Sequence, residues 1–310
     1  MATFSLESGK PIAYINGGIY DGKILHLLED NTNNGNIMDN LDLIDDDFLR
    51  KKKKRLTYKE LENLKYSIKS NKRPDQNYTV FDDAMGYINQ NKNKELILYD
   101  GELIPIPTTE IDKTTGKEKA EAYFLSAPRD SGKSTFAGKF VKYYKRMFPQ
   151  NNFYVISRVT EDPAYDELNP TRIKIDEKFV TEPYDVSEFE DSIVVFDDLD
   201  VRSKDKISEA VRKLRDELFE NGRHKSTFVL ACAHTLLNYR ETKPLLSESS
   251  CVVIYPKAGY IQQVKRFLKE YVGVENKKML LKILNVPSRW VMVRKRYPMY
   301  ILHEKGAFLL

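Results

Sequence analysis

The chain has 310 residues, 41% of them hydrophobic and 31% charged, which supplies one sizeable core or a core plus a smaller domain and excludes disorder throughout. No apolar run approaches the ~18 residues of a membrane-spanning helix, and the opening Met1-Ala2-Thr3-Phe4 lacks the basic-then-apolar order of a secretory leader, so the sequence reads as soluble and intracellular, with no membrane partner. The net charge of +4 announces no nucleic-acid partner by itself, but residues 251–310 carry twelve Lys and Arg against three Glu, so the basic excess is C-terminal.

Residues 1–118 are uneven in composition. An Asn-rich stretch at 31–36 and an Asp-rich one at 39–47 precede the basic run Lys51 to Arg55, and the segment reads as a smaller N-terminal α+β appendage, part of it mobile. Within it Thr57-Tyr58-Lys59-Glu60 fits a capping box, and Leu61, Leu64 and Ile68 recur on one face of the helix it would open. Residues 96–99 and 103–106, separated by Asp100-Gly101, predict a β-hairpin.

From about residue 119 apolar strand-like runs alternate with helical stretches, the pattern of an α/β domain with a mainly parallel sheet. Strands are predicted at 123–126, 153–157, 193–196, 228–233 and 252–255, with a weaker one at 173–175. Helices are predicted at 133–147 and 204–219. Cys232 and Cys251 fall in apolar strands, too few and too poorly spaced for zinc or a disulfide framework, and read as core.

Ala127-Pro128-Arg129-Asp130-Ser131-Gly132-Lys133-Ser134-Thr135 follows the first of these strands and opens a helix, the setting of a Walker A phosphate loop. Successive backbone N–H groups would wrap the β-phosphate at the helix N-terminus. Lys133 would supply a cation to the β- and γ-phosphates of ATP, and Ser134 a hydroxyl ligand for Mg²⁺. Ala127 stands where the motif has its first glycine, which puts the backbone at the loop entry in question.

Ser192-Ile193-Val194-Val195-Phe196-Asp197-Asp198 has the form of a Walker B strand. Asp197 would hold the Mg²⁺ water shell, and Asp198 would orient and polarise the attacking water unless it only caps the turn at Leu199-Asp200. The predicted strand at 153–157 lies in sequence between the Walker A helix and this run, which suits the ATPase branch with an extra central strand. His234, ending the strand at 228–233, would emerge at the same sheet edge and read the γ-phosphate. Arg223 and Arg158 are candidate arginine fingers acting across a subunit interface, against the alternative of ordinary solvated loop arginines.

After two amphipathic stretches, 261–271 and 275–284, residues 287–298 interleave basic and aromatic side chains. Arg289, Arg294, Lys295 and Arg296 suit contact with DNA phosphates, and the same residues also fit a hairpin with a charged turn packing Trp290, Val291 and Tyr300. The chain thus divides into the appendage at 1–118, a P-loop core at 119–256 and a basic extension of helices and hairpin at 257–310.

The ordered set A-P-R-D-S-G-K-S-T, I-V-V-F-D-D, E-N-G-R-H and A-C-A-H resembles the poxvirus-type genome-packaging ATPases of large DNA viruses, within the FtsK–HerA superfamily. The resemblance covers roughly residues 122–256. It implies a RecA-like, Mg²⁺-dependent ATPase core assembled as a homo-oligomeric ring that draws double-stranded DNA into a capsid. Lys133, Ser134, Asp197, Asp198 and His234 match its nucleotide-site positions, and the Asp-Asp pair stands where the superfamily often has Asp-Glu. A capsid portal or vertex protein as partner, and the infected host cell's cytoplasm or the virion as location, are further implications. Another nucleic-acid translocase or helicase, a P-loop kinase and a nucleotide-binding scaffold without turnover are the rival readings.

Overall fold

The computed structural model describes residues 2–28, 44, 48–49, 56–69, 80–81, 83–84, 94–98, 100–107, 119–199, 205–238 and 241–310. The Asn-rich stretch, nearly all of the Asp-rich stretch, the basic run at 51–55, the Ile68 side chain, Tyr99, Asp200 and Lys204 lie outside the described residues.

Near-continuous β-branched and aromatic runs make strands that are buried on both faces, and these form the centre of the molecule. The strands are β6 (Ala122–Ser126), β7 (Asn152–Ser157), β8 (Thr171–Lys174), β9 (Ser192–Asp197), β10 (Thr227–Ala233) and β11 (Cys251–Ile254). They lie in the order β8-β7-β9-β10-β6-β11, all parallel. Beyond β11 the sheet continues antiparallel through β12 (Val291–Arg294), β13 (Tyr300–His303) and β14 (Gly306–Leu309) to the edge strand β4 (Glu95–Ile97), ten strands in all. The six predicted core strands are all present.

Strand alternation sends neighbouring residues to opposite faces. One face, with Tyr123, Leu125, Val195 and Leu230, is covered by helix α2 (Lys133–Met147) through Phe136, Phe140 and Tyr144. The other, with Phe124, Phe196 and Val229, is covered by α4 (Lys206–Asn221) and by the C-terminal helices α6 (Ile261–Glu270) and α7 (Lys277–Leu284). The short α3 (Pro163–Asp166) follows β7, and α5 (Lys243–Glu248) follows β10.

The capping box forms as expected. Glu60 accepts from the Thr57 N–H at 2.8 Å and Thr57 Oγ1 accepts from the Glu60 N–H at 3.3 Å, opening α1 (Tyr58–Lys69), whose Leu64 packs with Phe48, Val80 and Phe81 in a small separate cluster.

The hairpin expected around Asp100-Gly101 does not form. β4 joins the ten-stranded sheet, whereas β5 (Glu102–Pro105) pairs with β2 (Lys10–Asn16) in a second, four-stranded antiparallel sheet with β1 (Thr3–Ser5) and β3 (Ile24–Leu28). The turn therefore passes the chain from one sheet to the other. Gly101 (φ 76°) packs against the Gly17 carbonyl, where a side chain would collide. The four-stranded sheet shares one hydrophobic cluster with α2 and the central sheet, with Phe4 edge-on to Tyr300 at 6.2 Å. The central sheet thus crosses both expected boundaries, at 118 and at 256.

Candidate nucleotide site

The registers of β6, β10 and β9 bring three loop entries to one sheet edge. Ser126 pairs with Ala233, and Ala231 pairs with Phe196, so the ends of these strands deliver the phosphate loop, His234 and Asp197 side by side. Open α/β sheets bind ligands at the carboxyl ends of their strands. The extra strand between the Walker A and Walker B strands is β10; β7, which sequence order suggested for that place, lies outside β9.

Gly132 adopts φ 89° and caps α2, and Asp130 takes φ 61°, a region that Asp tolerates better than most residues. Ala127 has no left-handed backbone: it is fully buried and its N–H bonds the Ala233 carbonyl at 3.1 Å. The loop entry therefore needs no glycine, and the departure from the motif is accommodated. Arg129 and Asp130 are exposed on the outer rim of the loop.

Lys133 Nζ donates to the carbonyls of Ala127 (3.0 Å) and Pro128 (3.1 Å) and lies 3.2 Å from His234 Nδ1. An ammonium has no acceptor, so Nδ1 accepts and the ring proton sits on Nε2. That Nε2 is 3.5 Å from Asp198 Oδ1. A continuous polar path thus runs Lys133–His234–Asp198. Asp198 takes φ 48°, and its side chain is 42% exposed toward an open cavity of about 590 Å³ bounded by Arg129, Lys133, Ser134, Val159 and His234.

Ser134 Oγ donates to Asp197 Oδ2 at 2.9 Å, and Tyr165 donates to the same oxygen at 2.6 Å. Asp197 is almost completely buried, and loss of solvation, helped by the adjacent Asp198 charge, raises its carboxyl pKa against the hydrogen bonds from Tyr165, Ser134 and the Asp198 N–H. Tyr165 was not apparent as a site residue in the sequence, because no motif links position 165 to position 197.

The two arginine candidates diverge. Arg158 is tied within its own chain, donating to Ser208 Oγ at 2.8 Å at the start of α4. Arg223 is exposed in the 3₁₀ turn Gly222–Lys225 that precedes β10, at the opposite sheet edge from the phosphate loop. A seven-residue strand separates it from that loop, about 20 Å at the usual rise.

Of the four expected DNA contacts, Arg294 is corrected outright. It is buried on β12 and bonds Glu121 at 2.6 Å, with Lys10 3.6 Å from the same carboxylate. Burial works against the guanidinium charge, and its ionisable neighbours, Glu121 foremost and then Cys251 and Tyr300, together outweigh it and raise its pKa. Lys295 is also committed, donating to the Leu246 carbonyl at the end of α5, and burial lowers its pKa to about 8. Arg289 and Arg296 are exposed. Hairpin geometry holds for β12 and β13, with Arg294 opposite Tyr300. Cys232 and Cys251 are buried free thiols, and no cluster of three or more metal-ligating His, Cys, Asp or Glu side chains occurs among the described residues. Among those residues no helix is long and apolar enough to cross a membrane.

A phosphate loop between a buried parallel strand and a helix, facing an acid-ended strand across an intervening one, gives this chain the α/β fold and the phosphate-loop geometry of a P-loop nucleotide-binding protein. The chain is 28% identical over 233 residues, 73% of its length, to "Uncharacterized protein V3" of Sputnik virophage, 90% of which the match spans. No protein-family model matches it. Among solved structures it is similar to the genome packaging NTPase B204 of Sulfolobus turreted icosahedral virus 2 in complex with AMPPCP, at TM-score 0.41 and 10% identity over 60% of this chain and 98% of that one. It is also similar to the pCW3 conjugation coupling protein TcpA with ATPγS, at TM-score 0.42 and 12% identity over 68% of this chain and 66% of that one.

Proposed function

We propose that this chain is a Mg²⁺-dependent ATPase motor that translocates double-stranded DNA and, as a homo-oligomeric ring, packages a viral genome into a capsid. The observation that carries the hydrolase reading is the Lys133–His234–Asp198 path at 3.2 and 3.5 Å beside the Ser134–Asp197 pair at 2.9 Å. The DNA and packaging parts are supported by the resemblance of the ordered motifs to packaging ATPases, and the viral setting by the match to a virophage protein. A viral motor of this kind would work in the cytoplasm of the infected cell.

The residues fit a magnesium ion. A hydroxyl and a carboxylate, both hard oxygen donors, converge at the base of the phosphate loop, and they are the pair that would hold the cation. When bound, the ion neutralises charge on the β- and γ-phosphates. The loop N–H groups from residue 129 onward and the N-terminus of α2 would bind the phosphates, with Lys133 swinging from the loop carbonyls onto the β/γ bridge. Asp198 would take a proton from water as its oxygen attacks the γ-phosphorus, the bond to the bridging oxygen breaks, and ADP and phosphate form. His234, in contact with both Lys133 and Asp198, would report γ-phosphate occupancy to the general base. Arg223, too far from its own phosphate loop, would complete a neighbour's site.

Steady-state phosphate release with and without duplex DNA tests this reading. Release stimulated by DNA is expected. Nucleotide binding without release would favour a scaffold, and phosphate transfer to an added acceptor in place of release would favour a kinase.

A further inference from the structure

α3 lies between the two halves of the nucleotide site. Asp162 caps it, accepting from the Ala164 N–H at 2.9 Å, and Asp166 anchors its far end to Arg172 at 2.5 Å. Its backbone rests directly on the Walker A helix at Gly138, where an added Cβ would collide with the carbonyl oxygen of Ala164. That contact lets α3 sit deep enough for Tyr165 to be fully enclosed, with its ring edge-on to Phe153 at 6.3 Å.

The buried hydroxyl donates to Asp197 Oδ2 at 2.6 Å, the same oxygen that Ser134 reaches from the Walker A side. A buried carboxylate with one free torsion can turn either oxygen outward. These two donors on Oδ2, fixed on separate elements, with the Asp198 N–H on Oδ1 at 2.9 Å, remove that freedom.

We infer that Tyr165 is a positioning residue: it holds the Asp197 carboxylate in the orientation that binds the divalent cation, and so sets metal affinity at the nucleotide site. The inference rests on the ATPase reading above. α3 then couples the Walker A helix, through Gly138, to the Walker B acid. Outer-shell hydrogen bonds to metal-holding groups typically govern affinity by ~10–100-fold, and retention of Ser134 places the expected loss at the lower end.

The test is Mn²⁺ titration, followed by the electron paramagnetic resonance of the free ion, on the full chain with saturating ADP. It is paired with ADP affinity measured in chelator and with thermal melting. Tyr165→Phe keeps the ring and its packing. The expected result is ~10-fold weaker Mn²⁺ binding with metal-free ADP affinity unchanged. Equal Mn²⁺ affinity in parent and variant would overturn the inference, as would a parallel loss of metal-free ADP affinity, which marks a merely structural role. Failure of the parent itself to bind ADP or Mn²⁺ would instead sink the ATPase reading.

Discussion

Lys133 reaches the Ala127 and Pro128 carbonyls and His234 from one side-chain position, so its ammonium is already held at the mouth of the loop where phosphates would arrive. Lys133→Ala should abolish Mg²⁺-ATP binding, and titration with a fluorescent nucleotide checks it; wild-type affinity would remove the Walker A assignment. Asp198→Asn keeps shape and removes the charge that polarises water. Turnover should fall at least ~100-fold, the usual scale for losing a general base, with nucleotide affinity retained; unchanged phosphate release from a folded variant would place the base elsewhere. These residues were legible in the sequence because a phosphate loop and an acid-ended apolar strand are local patterns whose chemistry depends on spacing along the chain. Tyr165 was not, because its contact with Asp197 depends on how α3 packs on Gly138, a tertiary distance with no period or spacing to betray it. Arg294 misled for a related reason: a basic cluster in a turn-like stretch reads as solvated, and nothing local to it announces that Glu121 waits just before the next strand but one.

Within the C-terminal hairpin the basic residues separate by register. Arg294 sits on β12 facing Glu121, and Arg296, two residues on, is exposed. Arg294→Ala would leave a buried carboxylate without its main partner, a loss of ~3–5 kcal/mol for such pairs, softened by Lys10, and should appear as a large fall in the denaturation midpoint. Arg296→Ala should leave stability intact and reduce the magnitude of the log-affinity versus log-salt slope for duplex DNA by up to ~0.9, one phosphate contact. An unchanged slope would assign that turn to solvent or to another surface. His303, on β13, adds a pH signature. Burial, then the nearby Lys282 charge, lowers its pKa to about 4, and Nδ1 accepts from the Lys305 N–H. The unfolded imidazole titrates near 6.5, so the unfolded chain binds the extra proton first. Stability is therefore full above about pH 6.5 and falls as pH drops toward 4, by up to about 3 kcal/mol. Denaturant midpoints across that range should flatten in His303→Gln; an identical slope would place the acid sensitivity in other groups. The parallel strands were readable as elements because burial on both faces makes them apolar runs. The N-terminal strands were not: β1 has three residues, and the pairing of β2 with β3 shifts register between Pro11 and Ala13, so no clean alternation survives.

At the scale of the whole molecule, one sheet unites segments that composition separates. β4 comes from residues 95–97 and closes against β14, so the first hundred residues and the last ten share an edge of the same ten-stranded sheet. The parallel strands present their two ends on opposite sides, with the phosphate loop after the carboxyl end of β6 and Arg223 before the amino end of β10. Among the described residues Arg223 bonds its neighbour, its Nε lying 3.3 Å from His224 Nε2, and it is exposed on a turn braced by the close packing of Gly222 against Thr227. Such an arginine can serve nucleotide chemistry only in another subunit, and fingers supplied in this way contribute ~10³–10⁵-fold to turnover. Arg223→Ala should therefore hydrolyse ATP at least ~1,000-fold more slowly while binding nucleotide normally. Lys133→Ala, which lacks a working phosphate loop but keeps Arg223, should be inactive for the other reason. Mixing the two dead variants decides the matter. In a mixed ring some interfaces join the intact loop of an Arg223→Ala subunit to the intact arginine of a Lys133→Ala subunit, so phosphate release should reappear on mixing and rise with total protein concentration. No recovery in a mixture shown by light scattering to be assembled would remove Arg223 from the reaction. Activity in the Arg223→Ala variant alone would do the same.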